Sequence, residues 1–184
     1  MLTGMASGST VEVVHTARID TPIGELRLAS TAAGLAFLEL PRSNGSGLTG
    51  WVRRWAPGAR VEQGFKPNQS AAKQLLEYLA GKRRDFDLAL DLRGTEFQLA
   101  VWKALCAIPY GETISYAEQA RRVGRPKAPR AVGAANGANP IAIIVPCHRV
   151  VNADGKLGGY GGGLPLKKRL LALEHAQPRQ GDLL

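Results

Sequence analysis

NPIAIIVPCHRVV, residues 139–151, runs five apolar residues directly into a proline, a cysteine, a histidine and an arginine. The run Ile141–Val145 reads as a fully buried strand or extended segment, which would set Cys147 at the end of a rigid element. A nucleophilic cysteine needs a proton acceptor or positive charge nearby to exist as thiolate, and His148 and Arg149 supply both if their side chains turn toward the sulfur. Adjacent strand side chains point to opposite faces, so His148 would reach Cys147 only through a bent backbone or a bridging water. The competing reading is a buried cysteine beside a structural histidine.

Upstream, ISYAEQARRVG (114–124) and APRAVGAANGAN (128–139) flank a turn at Arg125-Pro126-Lys127, the outline of a helix-turn-helix. Its second helix presents Ala128, Ala131, Gly133, Ala134, Ala135 and Gly137, a small and smooth face that can approach a sugar-phosphate backbone but has few side chains to read base edges. Sequence-independent DNA binding is therefore expected. Arg130 is the one long cation on that helix, placed for insertion into a duplex or for an ordinary phosphate contact. Before this motif, EFQLAVWKALCAIP (96–109) carries the helical stripe Phe97, Val101, Leu105 and Ile108. Cys106 beside that stripe reads as a small core residue.

The first half differs. VEVVHTARI, GELRLAST and GLAFLEL (11–19, 24–31 and 34–40) read as a three-stranded antiparallel meander. Residues 42–69 look mostly like loop, with a short helix around Trp51–Trp55. SAAKQLLEYLAG (70–81) predicts a helix capped by Ser70, with Leu75, Leu76 and Leu79 on one face and Gly81 as its stop. FDLALDL (86–92) alternates strictly and predicts a further strand. Residues 1–10 read as a flexible leader with Met5 as an alternative start. The expected division is 11–92 for an α/β domain with a small antiparallel sheet, and 93–184 for a mostly helical domain with a winged helix-turn-helix-like motif.

Charge follows the same division. The chain of 184 residues carries +9 overall. Residues 1–92 hold 11 Lys and Arg against 9 Asp and Glu, whereas residues 93–184 hold 13 against 6, so +7 of the +9 lies in the second half. That bias suits an anionic partner, though a merely solvated basic surface reads equally well on charge alone. Two cysteines and three histidines at no ligand spacing predict neither a disulfide framework nor a metal site. No apolar run is long enough to span a membrane, and the first cation is Arg18, so the expectation is a cytoplasmic protein with reduced thiols and no membrane partner.

PCHRVV after NPIAIIV, preceded by ISYAEQA and PRAVGAANGAN and followed by GGYGGG (158–163) and LLALEH (170–175), resembles the O6-alkylguanine-DNA alkyltransferase family, also called methylated-DNA-protein-cysteine methyltransferases. The resemblance spans about Phe97 to His175 in order and spacing; in the first half it rests on element order. It implies that Cys147 is the alkyl acceptor, His148 the water-linked base, Glu174 the carboxylate that orients the histidine, and Asn139 the brace of the active-site turn. Without it, Glu174 would read as a solvated helix residue and Asn139 as a cap before proline. It further implies that Tyr116 helps rotate the nucleotide out and donates a proton toward the departing guanine, and that Arg130 fills the vacated stack. Tyr160 corresponds to the pocket aromatic, and backbone groups of Cys147 and Val150 to contacts with the guanine edge. Some family members carry a serine where this chain has Gly161, which bears on the preference for alkyl size and for guanine over alkylated thymine.

The implied partner is double-stranded DNA with alkylated bases, bound by a monomer without cofactor or metal, each molecule acting once. Two other readings remain: a cysteine hydrolase using Cys147 and His148, which would turn over repeatedly, and a DNA-binding regulator or lesion sensor indifferent to loss of Cys147.

Overall fold

A computed structural model describes residues 11–41 and 47–175; the expected leader at 1–10 and the candidate start at Met5 lie outside the described residues. The meander forms as its alternation predicts, with β1 (Val13–Ile19), β2 (Leu26–Thr31) and β3 (Gly34–Glu39) joined antiparallel. Of the 42–69 stretch, the described residues 47–69 are more ordered than their composition suggests. They contain α1 (Gly47–Trp55) and a short strand β4 (Arg60–Gln63) that pairs parallel with β1. The sheet order is β3-β2-β1-β4, so the sheet is mixed and not wholly antiparallel. β4 escapes sequence reading because RVEQ lies at the edge, mostly exposed, with no apolar face to report.

Each sheet face is covered by one helix. Leu48 and Trp51 of α1 pack on Val14, Ala29 and Ala36. The opposite face, through Leu26, Leu28, Leu35 and Leu38, meets α2 (Gln69–Leu79). Ser70 is not the cap of α2: Asn68 precedes the first turn, its side chain bonding the carbonyls of His15 and Gly64 and, through Oδ1, the Ser30 hydroxyl. The buried face of α2 is Ala71, Ala72, Gln74, Leu75 and Tyr78, with Leu76 exposed.

Residues 86–92 alternate as expected, Phe86, Leu88 and Leu90 being half-buried, but form a single bridge to β3 instead of a ladder. The reason is competition for backbone groups. Gln74 accepts from the Asp87 N–H and donates to the Asp87 carbonyl, both at 2.8 Å, replacing the partner strand there. At the bridge, Leu35 N–H donates to the Ala89 carbonyl at 2.9 Å, and only the lack of a side chain at Gly34 permits so close an approach.

In the second half α3 (Glu96–Cys106) opens with a capping box between Thr95 and Gln98. Cys106 ends it in an exposed position, contrary to its expected core placement. α4 (Tyr116–Arg122) and α5 (Pro129–Gly137) form the helix-turn-helix, with Ser115 capping α4 through the Glu118 N–H. β5 (Ile114–Ser115) and β6 (Val150–Val151) pair parallel beneath them, and α6 (Leu164–Leu173) closes the chain. One continuous core joins the halves, running from Leu28, Leu75 and Tyr78 through Trp102 and Val132 to Ile143, Cys147 and Leu170. Among the described residues no helix is long and apolar enough to cross a membrane.

Candidate active site

The apolar run before Cys147 is buried, as its composition predicts, but it is a tight turn and not a strand. Only isolated bridges form, Leu38 to Ile141 and Ala142 to Val145. Ile143 takes φ +77, a left-handed conformation that is costly for a β-branched residue and is held only by strong surroundings. Asn139 supplies them. Its Oδ1 accepts from the Ile141 N–H at 3.0 Å, and its Nδ2 donates to the Val145 carbonyl at 2.7 Å and to Cys147 Sγ at 3.3 Å. The chain then turns through a 3-10 segment, Cys147–Arg149, with Cys147 only 8% exposed.

His148 of this segment meets Glu174 at the end of α6 (Leu164–Leu173). Glu174, at the C-cap of α6, places Oε1 3.0 Å from His148 Nε2. Arg149 does not face the sulfur. Its guanidinium reaches both Glu174 oxygens, at 2.9 to 3.3 Å, and donates to the Ile108 carbonyl at 2.6 Å. Glu174 Oε2 also accepts from the Gly111 N–H, and Oε1 from the Tyr78 hydroxyl at 2.5 Å. Burial alone would raise the Glu174 carboxyl, but hydrogen bonds from His148 and Arg149, and their charge, hold it down to about 2. An ionised Glu174 can only accept, so His148 Nε2 carries the proton and Nδ1 keeps the lone pair. Nδ1 is buried with no partner among the described residues.

Burial pushes the Cys147 thiol up, against the Asn139 hydrogen bond and the charge of Lys167. Burial likewise lowers His148, against the bond and charge of Glu174. The resting pair is thus a neutral thiol and a neutral imidazole. Lys167 of α6 is fully buried, donating to the carbonyls of Val150 at 2.5 Å and Gly159 at 3.2 Å, and burial brings it down to about 8.

Cys147 lines a cavity of about 250 Å³ whose other walls are Tyr116, Gly133, Asn136, Gly137, Gly159, Tyr160 and Gly161. It therefore lies between the second helix of the helix-turn-helix and the glycine-rich loop. Gly158 brings that loop against Tyr116: its φ is +65, and a Cβ there would fall 2.9 Å from the Tyr116 ring. Tyr160 stands edge-on to His148 at 6.4 Å, its hydroxyl buried without a partner among the described residues. Gly161 faces open space, so the chain has room for the side chain it lacks. A larger cavity of about 290 Å³ also reaches Cys147 and extends to Leu40, Trp51 and Arg93 of the first half.

Of the residues expected at the site, Cys147, His148, Glu174 and Asn139 come together through hydrogen bonds and chain adjacency, and Tyr116, Gly133, Tyr160 and Gly161 join Cys147 around the cavity. Val150 does not line it. Its N–H donates to the Cys147 carbonyl and its own carbonyl takes Lys167. Ala131, Ala134 and Arg130 are exposed on α5 and Ala128 is half-buried before it, whereas Ala135 turns inward, its carbonyl accepting from the Trp102 indole. Tyr78, Lys167 and the Arg149–Glu174 pair were not legible in the sequence: a tyrosine on an apolar helix and a lysine in LPLKKR carry no chemical signal by type or spacing.

Fold and site together define a two-domain protein in which a buried cysteine adjoins a histidine hydrogen-bonded to a carboxylate, beside a helix-turn-helix. Family models match both halves: residues 14–92 match the ribonuclease-like domain of 6-O-methylguanine DNA methyltransferase, and residues 96–176 its DNA binding domain. The chain belongs to this methyltransferase family. It is 51% identical over 166 residues to the methylated-DNA--protein-cysteine methyltransferase of Mycobacterium tuberculosis, covering 90% of this chain and 94% of the relative. The inducible Bacillus subtilis protein of the same name is 44% identical over 156 residues, 85% of this chain and 87% of its own. Among solved structures, Mycobacterium tuberculosis OGT in complex with DNA is similar at a TM-score of 0.75 and 47% identity, covering 93% of this chain and 98% of that one. The O6-methylguanine-DNA methyltransferase of Pyrococcus kodakaraensis is similar at 0.60 and 25% identity, over 88% and 98%.

Proposed function

We propose that this protein repairs alkylated DNA by direct reversal, moving the alkyl group from O6-alkylguanine irreversibly onto Cys147. The observation that carries this reading is the position of the buried Cys147 thiol in a cavity bounded by α5 and the glycine-rich loop. A base inside a duplex cannot reach a buried sulfur, so the lesion must be rotated out of the stack. Tyr116 stands at the cavity wall to guide it, and the exposed Arg130 fills the gap left behind.

His148, neutral and with Nδ1 as its acceptor, takes the Cys147 proton through a bridging water while Glu174 fixes the ring's tautomer. The sulfur–carbon bond forms as the carbon–oxygen bond breaks, and the bonding pair leaves on guanine. Tyr116 delivers a proton to the departing base. Asn139 steadies the developing thiolate. The thioether is stable and the site holds no group that would reverse it, so each molecule reacts once. A duplex-binding monomer working in the cytoplasm, largely indifferent to sequence, suits the smooth outer face of α5.

Quantifying the unmodified guanine recovered from a duplex carrying one O6-methylguanine tests the reading. A plateau at one repaired base per protein molecule is expected. Continued turnover would point to a hydrolase, and binding without repair to a lesion sensor.

A further inference from the structure

The chemistry-bearing residues expected from sequence all lie after residue 92, yet the carboxylate of the relay takes a hydroxyl from the other half of the chain. Tyr78 is fully buried on α2, and its Oη lies 2.5 Å from Glu174 Oε1 and 3.4 Å from His148 Nε2. Its ring packs on Phe86 at 5.2 Å and edge-on against Tyr110 at 6.2 Å, so the hydroxyl has little freedom to leave. Tyr110 in turn donates to the Leu173 carbonyl, tying the same cluster to the end of α6.

Oε1 of Glu174 thus receives three donors: the His148 imidazole, the Arg149 guanidinium and the Tyr78 hydroxyl. Oε2 takes Arg149 and the Gly111 N–H. The Arg149 pair neutralises the carboxylate, and the phenol shares the oxygen that orients the histidine. How strongly Glu174 holds the Nε2 proton, and hence how basic Nδ1 is, depends on how that oxygen's charge is divided.

We propose that Tyr78 is a positioning residue of the transfer reaction: its hydroxyl, delivered by the N-terminal domain, fixes Glu174 Oε1 and sets the basicity of His148. The first domain is on this account a component of the relay as well as its support. The inference rests on the proposed transfer to Cys147, but its test separates the two.

The experiment compares wild type, Tyr78→Phe and Phe86→Leu in single-turnover methyl transfer from an O6-methylguanine duplex between pH 5 and 9, with duplex affinity and Tm measured alongside. Tyr78→Phe keeps the ring and removes one donor from Oε1. The remaining charge then favours imidazolium, so the pH at which the rate is half-maximal moves up, and the rate at pH 7 falls about tenfold, as losses in a supporting shell commonly do. Duplex affinity is unchanged. Phe86→Leu loosens the same packing without touching Glu174, so it lowers Tm and leaves the pH profile in place. An unaltered profile in Tyr78→Phe, an equal shift in Phe86→Leu, or a Tyr78→Phe chain that fails to fold would each assign the hydroxyl to structure alone and overturn the proposal. Absence of transfer in the wild type would instead overturn the repair reading itself.

Discussion

Asn139 Nδ2 lies 3.3 Å from Cys147 Sγ while the same nitrogen holds the Val145 carbonyl at 2.7 Å, so one amide both closes the active-site turn and faces the sulfur. Asn139→Ala removes the side-chain hydrogen bond that eases the buried thiol toward thiolate and leaves the Ile141 N–H unpaired, while the Val145 carbonyl keeps the Cys147 N–H. Stability should fall by about 1–3 kcal/mol, the cost of one orphaned buried group. Iodoacetamide labelling of the Cys147 peptide in the folded protein should slow at pH 8. Labelling at the wild-type rate would show that Asn139 acts on the turn alone.

Glu174 gives the acid sensitivity. Its folded carboxyl lies near 2 against an ordinary 4.5, so its contribution is complete above pH 4.5 and drains away as pH falls toward 2. The shift corresponds to ~3 kcal/mol over that window. Glu174→Gln leaves Arg149 buried without its counter-ion, and should cost about 3–5 kcal/mol at pH 7. Urea unfolding at pH 7, 4 and 2.5 should show the gap between variant and wild type closing as the solution is acidified. A constant gap would contradict the assigned ionisation.

Lys167 ties α6 to the glycine-rich loop through Val150 and Gly159. Lys167→Met keeps the buried stem and removes both bonds. The Val150 carbonyl is then unpaired, at ~1–3 kcal/mol. Amide exchange should quicken across 159–163, and transfer should slow even where duplex affinity holds. Exchange unchanged in that loop would exclude the tethering role.

Arg130 is exposed at the start of α5. If it meets the duplex, Arg130→Ala should weaken binding to all sequences alike and lower the slope of log affinity against log salt by about one. Loss of affinity confined to one sequence would indicate base reading instead.

What the sequence disclosed depended on whether a residue's own chemistry or its neighbours decided its place. Alternation in GELRLAST and GLAFLEL reports a sheet face directly, and β2 and β3 form there. The run IAIIV reports burial but not backbone conformation, because Asn139 closes it into a turn that five apolar residues would otherwise leave extended. FDLALDL alternates correctly, yet Gln74 claims the Asp87 backbone groups that a ladder would need. At the site, PCHR marked Cys147 and His148, and family resemblance marked Glu174. Arg149 was read as a charge for the sulfur and serves Glu174 instead, since a buried carboxylate attracts the nearest cation more strongly than a neutral thiol does. Tyr78 stands 96 residues from its carboxylate, a pairing that only the tertiary fold creates.

The most direct test of the account is peptide mass spectrometry after incubation with excess O6-methylguanine duplex, because the chain offers two thiols. Cys106 is exposed, and Cys147 is buried at the cavity. The account predicts one added methyl per molecule, carried on the Cys147 peptide, with Cys106 untouched and Cys147→Ser unmodified but still able to bind the duplex. Methyl on Cys106, or repair that persists in Cys147→Ser, would contradict it.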